Sequence, residues 1–254
     1  TPKPSSAASD VYKRQIEKQA LLYTGKAKAM YATNDPEILW VEYLDQATAL
    51  NGKRKVPIDQ KGRLNNRIAS LIFKDLANHG IANHFIEQPS DYVQLVRRVT
   101  MIPLETVVRN AASGSFERKF AVPHLTKFAE PVLEFFYKND QLDDPFINDS
   151  QIHALNVATP AIVAEIKRQA LQVNQRLTAI FAAMGVQLVD FKIEFGLTTT
   201  GKVLLADEIS PDSCRLVDLK TGASLDKDVF RKDLGDLTSV YQEVLTRLAT
   251  VEEA

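Results

Sequence analysis

Apolar residues recur along this chain in two periods, and the switches between them divide it into elements. Strand-like runs over residues 20–23, 26–33 and 38–43, punctuated by Thr24-Gly25 and Asn34-Asp35-Pro36, predict an antiparallel meander. From Gly62 to Asn78 the period lengthens. Leu64, Ile68, Leu71, Ile72 and Leu76 form one stripe and Gly80 follows as a stop, which predicts a helix. Extended runs return at residues 84–87 and 92–99. Thr159-Pro160 opens a second long helix, Thr as cap and Pro pre-set for the first turn, and its stripe from Ile162 to Ile180 ends at Gly185. Strands over residues 186–197 and 202–209 come next, then a last helix that opens at Asp226 and breaks near Gly235. Met101-Ile102-Pro103 leads into the turn-rich residues 110–115, placing a lobe boundary near residue 100. Residues 16–100 are predicted as an antiparallel β lobe with one helix, and residues 101–254 as an α+β lobe.

Composition narrows the function. The 254 residues are 45% hydrophobic and 25% charged, enough apolar material for a sizeable core. A formal net charge of -1 lacks the basic footprint of a nucleic-acid binder. No apolar run approaches the roughly 18 to 20 residues that span a bilayer. The single cysteine, Cys214, excludes an intrachain disulfide and suits a reducing compartment, so a cytoplasmic location without membrane partners is expected. Residues 1–15 carry no apolar core and no initiator Met. They read as a disordered or appended tail, not as a secretory signal.

Four segments carry candidate chemistry. In Gly25-Lys26-Ala27-Lys28, strand alternation would place Lys26 and Lys28 on one face, where two ammoniums can grip a polyphosphate, although paired surface lysines are common. Within residues 188–195 alternation sends Asp190, Lys192 and Glu194 to one face and Phe191, Ile193 and Phe195 to the other. Residues 198–201 read as a hairpin connection. An even-length loop sets Lys192 opposite Asp207 with Glu194 as its diagonal neighbour, whereas an odd-length loop flips that register. Asp207 follows the apolar residues 203–206, so its strand is buried and its carboxylate must be paired or bind a cation. Glu194 and Asp207 are hard oxygen ligands suited to Mg²⁺. No Cys/His cluster suits zinc; His79, His84, His124 and His153 lack ligand spacing. Val107 to Ser115 passes from a strand into a Gly/Ser turn, offering Arg109, hydroxyls and backbone N–H groups to a phosphate. Arg215, after Ser210-Pro211-Asp212, can clamp a carboxylate or phosphate. Cys214, beside it, reads as a small buried hydrophobe.

Taken in order, these segments resemble the SAICAR synthetase family, phosphoribosylaminoimidazole-succinocarboxamide synthases of purine biosynthesis. The matching stretches are residues 22–28, Lys61-Gly62-Arg63-Leu64-Asn65-Asn66, Val108-Arg109-Asn110 with Gly114-Ser115, and Asp144-Pro145 with Ile147-Asn148-Asp149. Further on come residues 188–196, 205–215 and Asp226-Lys227-Asp228 with Phe230-Arg231. The resemblance implies an ATP-dependent ligase that joins L-aspartate to carboxyaminoimidazole ribonucleotide, giving SAICAR, ADP and phosphate. It implies a two-lobed α+β fold of antiparallel sheets with flanking helices, related to ATP-grasp and kinase folds, with ATP between the lobes, and it suggests a homodimer. By matching motif, Lys26 and Lys28 would contact ATP phosphates, Arg97 to Met101 the adenine, and Lys138 the nucleotide. Glu194 and Asp207 would hold Mg²⁺. Arg109, Ser115 and Arg215 would bind the ribonucleotide phosphate, while Asp190 and Lys192 would line the reacting groups, with Asp190 a possible proton acceptor.

Departures from the family pattern stand at Gln60 and at Phe120-Ala121, where Gly and Leu-Gly are usual, and at Val217, where Trp is common. The loop over residues 51–62 is where specificity or dynamics would differ. A small-molecule kinase is disfavoured by the lack of His-Arg-Asp, Asp-Phe-Gly and a G-x-G-x-x-G loop. A catalytically dead nucleotide-binding protein is disfavoured by the intact Lys, Glu, Asp and Arg positions.

Overall fold

The computed structural model of the chain describes residues 15–49 and 54–252. The N-terminal tail, apart from Gln15, and residues 51–53 of the 51–62 loop lie outside the described residues. β1 (Lys18–Thr24), β2 (Lys28–Thr33) and β3 (Ile38–Tyr43) pair in sequence as the expected meander. A hairpin of β4 (Gln46–Ala49) and β5 (Arg54–Pro57) leads to α1 (Lys61–Asn78). β6 (Phe85–Ser90) and β7 (Val93–Arg97) complete a five-stranded antiparallel sheet ordered β1-β2-β3-β7-β6.

The second sheet starts three residues later. It comprises β8 (Thr100–Ala111), then, after the short helix α2 (Ser115–Phe120), β9 (Lys127–Tyr137) and β10 (Phe146–Ile147). α3 (Asp149–Ala154) and α4 (Pro160–Ala183) lie between these strands and β11 (Val186–Leu197), β12 (Val203–Ala206) and β13 (Cys214–Asp218). The order is β10-β9-β8-β11-β12, antiparallel throughout, and β13 pairs with the first half of β11 while β12 pairs with the second. Two strands thus share one edge of β11. The loop between them, residues 207–213, opens beside the middle of that strand, where the Lys192 N–H donates to Ser213 O at 2.8 Å. α5 (Asp228–Arg231) and α6 (Leu237–Glu252) end the described chain, the predicted last helix being broken as expected. The sequence pattern predicts no strand over the residues of β13.

Local chemistry accounts for these boundaries. Thr159 caps α4 by accepting the Ile162 N–H, with Pro160 in the first turn. α1 has no side-chain cap of its own at Gln60, but Asp45 Oδ1 accepts the Gly62 N–H at 2.8 Å. A Cβ on Gly62 would lie 2.8 Å from Tyr43 O, so only glycine lets the helix start against the end of β3. α4 packs on β8, β11 and β12, and α6 packs on α1 and α4. Phe191, Ile193 and Phe195 point into this buried layer. The opposite face of β11 is left to its charged residues. No helix among the described residues is long and apolar enough to cross a membrane.

Candidate active site

The hairpin joining β11 to β12 has five residues between the strands, and Glu194 pairs with Ala206. The register expected for an even-length loop, Lys192 opposite Asp207, is therefore off by one. Continued as a strand, Asp207 would face the apolar side with Ile193. Instead β12 stops at Ala206 and Asp207 takes a left-handed conformation, φ 61°, which returns its carboxylate to the charged face. The expected convergence is met by a turn, not by strand pairing.

At this end of β11 three ammoniums pair with three carboxylates. Lys192 Nζ lies 2.6 Å from Glu194 Oε1 and 3.0 Å from Asp207 Oδ2. Lys138 Nζ meets Glu194 Oε2 at 2.5 Å, and Lys28 Nζ meets Asp207 Oδ1 at 2.6 Å and Glu208 Oε2 at 3.2 Å. Burial disfavours the Asp207 carboxylate, but the Lys28 and Lys192 ammoniums outweigh it and hold the group well below the usual range. Burial likewise opposes the Lys192 ammonium, and the Asp207 and Glu194 carboxylates overcome it, holding Lys192 well above its ordinary value. Glu105 of β8 stands directly across from Glu194, two like charges that need these cations between them. Burial raises the Glu105 carboxyl despite Lys192.

The second charged group sits about two residue pairs back along β11, roughly 13 Å from Glu194 at strand spacing. Arg109, buried, donates from Nε to Glu134 at 2.6 Å, from Nη1 to Asp190 Oδ2 at 2.7 Å and from Nη2 to Ser115 Oγ at 3.2 Å. Arg215 Nη1 lies 2.9 Å from the same Asp190 oxygen, and its Nε is buried without a hydrogen-bond acceptor. Gly114, at φ 59°, allows the contact with Arg215. A Cβ there would stand 2.7 Å from Nη2. Arg109 and Arg215 thus meet on one Asp190 oxygen beside the Ser115 hydroxyl and the Gly114 turn, a set of donors suited to an anion with several oxygens.

The remaining expected positions behave differently. Lys26 is in the turn before β2, not in the strand, and its Nζ reaches Asp140 at 3.1 Å while Lys28 turns to Asp207, so alternation does not place the two lysines together. Arg97 ends β7 exposed, and Met101, 41% exposed, is the second residue of β8, opposite Gly196. Residues 97–101 are the connection between the two sheets, and a Cβ on Gly196 would collide with Val99 at 2.4 Å.

The motifs therefore converge on two charged clusters along one strand, around Asp190 and around Glu194. A family model described as SAICAR synthetase matches residues 21–248. The chain belongs to the SAICAR synthetase family. The phosphoribosylaminoimidazole-succinocarboxamide synthase of Enterococcus faecalis is 56% identical over 235 residues, 92% of this chain and 99% of that protein. The crystal structure of the Ehrlichia chaffeensis enzyme superposes with a TM-score of 0.88 at 41% identity, covering 91% of this chain and 98% of that one. A SAICAR synthetase in complex with ADP superposes with a TM-score of 0.87 at 43% identity, over 90% and 97%. The α+β fold with antiparallel sheets is that of SAICAR synthetases.

Several charged residues at the site escaped the sequence reading. Glu134 and Glu105 come from strands whose pairing with β8 and β11 no local pattern reveals. Glu208 was masked by Asp207 beside it. Lys61 and Asp212 both lay in motifs noted for the family, yet nothing in the sequence joins them. The structure also explains two departures from the family pattern. Gln60 has φ 61° and Ala121 φ 51°, the left-handed region where glycine is free of strain.

Proposed function

We propose that the chain catalyses the SAICAR synthetase reaction, coupling the L-aspartate amine to the carboxylate of carboxyaminoimidazole ribonucleotide at the expense of ATP, with its two charged clusters dividing the substrates. The observation that carries this assignment is β11 itself: one face presents an arginine-rich anion cradle at Asp190, a lysine at 192 and a convergent carboxylate pair at 194 and 207. Residues 16–100 would serve as the nucleotide lobe and 101–254 as the substrate lobe. Lys26, Lys28 and Lys138 would contact the ATP phosphates and residues 97–101 the adenine. Arg109, Ser115 and Arg215 would bind the ribonucleotide phosphate.

Glu194 and Asp207 fit a divalent cation, because their oxygens already converge on one cation, the Lys192 ammonium. They are hard oxygen ligands, and a pair of protein carboxylates suits Mg²⁺ carried in on phosphate oxygens. Bound there, the ion would neutralise charge on the phosphates. A carboxylate cannot acylate an amine directly, since oxide is too poor a leaving group. Transfer of the ATP γ-phosphoryl to it creates a phosphate leaving group, and nucleophilic attack by the amine then forms the amide. The protein's share is positioning and charge neutralisation. Lys28 and Lys138 can pass from carboxylates to phosphate oxygens, Lys192 can hold the reacting carboxylate, and Asp190, both of whose oxygens accept from guanidiniums, can hold Arg109 and Arg215 in place.

The deciding assay follows ADP release with each substrate omitted in turn. Full turnover should need ATP, aspartate and the ribonucleotide together, and Asp207→Asn should raise the Mg²⁺ requirement and cut turnover. ADP release indifferent to aspartate would favour a kinase instead. On the same resemblance the enzyme is expected to be a cytoplasmic homodimer, which sedimentation would check.

A further inference from the structure

The loop that runs from Asp207 to the strand carrying Arg215 is held by a residue outside the proposed substrate contacts. Lys61, in the first turn of α1, is only 1% exposed, and its ammonium lies 2.6 Å from Asp212 Oδ2. Asp212 Oδ1 accepts the Tyr241 hydroxyl of α6 at 2.5 Å, and Lys227 Nζ stands 3.4 Å from Oδ2. Burial opposes the Asp212 carboxylate, but Lys61 and Lys227 hold it well below its ordinary range. Around it, Ser210 Oγ accepts the Asp212 N–H and donates to Glu208, and the Lys227 N–H donates to Pro211 O. Asp212 is thus the central anchor of residues 207–213, which make no strand of their own.

Stability alone does not account for a lysine here. Replacing a buried ion pair by apolar side chains of similar volume is often neutral or stabilising, because each charge must first be taken out of water. What an ammonium adds over an apolar group is direction: it fixes where the Asp212 carboxylate sits. The loop needs this. Asp207, at its start, is in the left-handed region, a conformation that persists only where surrounding contacts hold it. Arg215, just past its end, faces the other charged cluster.

We infer that Lys61 is a positioning residue for the reaction, its ammonium holding Asp212 so that the Asp207 carboxylate and the Arg215 guanidinium stay at a fixed separation. This role rests on the site assignment proposed above. A shift of about 1 Å in catalytic geometry can cost on the order of 100-fold in rate.

The test uses the full chain, with ADP release measured against Mg²⁺ and ribonucleotide concentration at temperatures well below each variant's Tm. Lys61→Met should lower kcat roughly 10- to 100-fold and raise both the half-activating Mg²⁺ concentration and the ribonucleotide KM. Tyr241→Phe keeps the core ring and removes only the third hold on Asp212; it should move the same three quantities in the same direction by a smaller factor. A structural role alone would lower Tm and leave the kinetics of the folded fraction intact. Folded Lys61→Met with kcat and Mg²⁺ dependence within twofold of wild type overturns the inference. Should that variant fail to fold, unchanged kinetics in Tyr241→Phe overturns it. Asp207→Asn separates the two levels. If it leaves the Mg²⁺ dependence unmoved, the site assignment fails and Lys61 with it; if it moves the dependence and Lys61→Met does not, only the positioning role fails.

Discussion

Gly114→Ala is expected to damage ribonucleotide binding while leaving ATP alone. At φ 59° and ψ -116° the backbone of Gly114 lies outside the regions open to L side chains, so alanine there costs about 1–3 kcal/mol of strain. The new Cβ would stand 2.7 Å from Arg215 Nη2 and 3.0 Å from Cζ, whereas ordinary contact begins at 3.4 Å. The guanidinium is the far end of a flexible side chain and will yield, retreating by about 0.7 Å, the difference between 3.4 and 2.7 Å. That retreat misaligns a charge-assisted contact worth about 1.5–3 kcal/mol, or roughly 10- to 100-fold in kcat/KM for the phosphorylated substrate. The strain should lower Tm by roughly 2–4 °C per kcal/mol. Steady-state ADP release, with each substrate varied at saturating levels of the others, separates the two effects. A lower Tm with unchanged kcat/KM for the ribonucleotide would refute the phosphate cradle, and a loss borne by ATP would move Arg215 to the nucleotide end.

His84 supplies an acid-sensitive term: burial first, then the Lys28 ammonium, pushes its ring down to about 3 from the ordinary 6.5. Between those values the unfolded chain binds a proton that the folded one does not, so its stabilising contribution is complete above pH 6.5 and falls by about 1.4 kcal/mol per unit as pH drops. Urea titrations at pH 6.5 and 5 should therefore show His84→Gln losing about 2 kcal/mol less than wild type across that interval; equal losses would sink the assignment. Ala121→Gly and Gln60→Gly should each stabilise by about 0.5–1 kcal/mol, because relief of the left-handed penalty, about 1–2 kcal/mol, exceeds the entropy glycine adds to the unfolded chain. Denaturant midpoints check this, and a fall in either midpoint would contradict it.

Much of the molecule was legible in its sequence because the information is local. The stripe from Leu64 to Leu76 and the Thr159-Pro160 start specify helices through neighbours three and four residues away. The alternation of Asp190, Lys192 and Glu194 with Phe191, Ile193 and Phe195 specifies which face of β11 is charged, because one side of the sheet must be buried under α4. Even the carboxylate pair and the Gly/Ser turn could be nominated from residue type and spacing.

The partners of those residues were decided by the path of the chain. Whether Asp207 faces the site turned on a five-residue hairpin and one left-handed residue, and a shift of one position would have reversed its side. β13 went unseen because its strand character comes from pairing along the free half of β11, not from its own alternation. Glu134 meets Arg109 only because β9 lies beside β8. Lys61 and Asp212 are separated by 151 positions and meet only after α1 and α6 have packed. Periodicity records what each residue does relative to its neighbours, and sequence alone determined that here. Which charges neutralise one another across the site is a property of strand order, register and helix packing, and only the tertiary structure decided it.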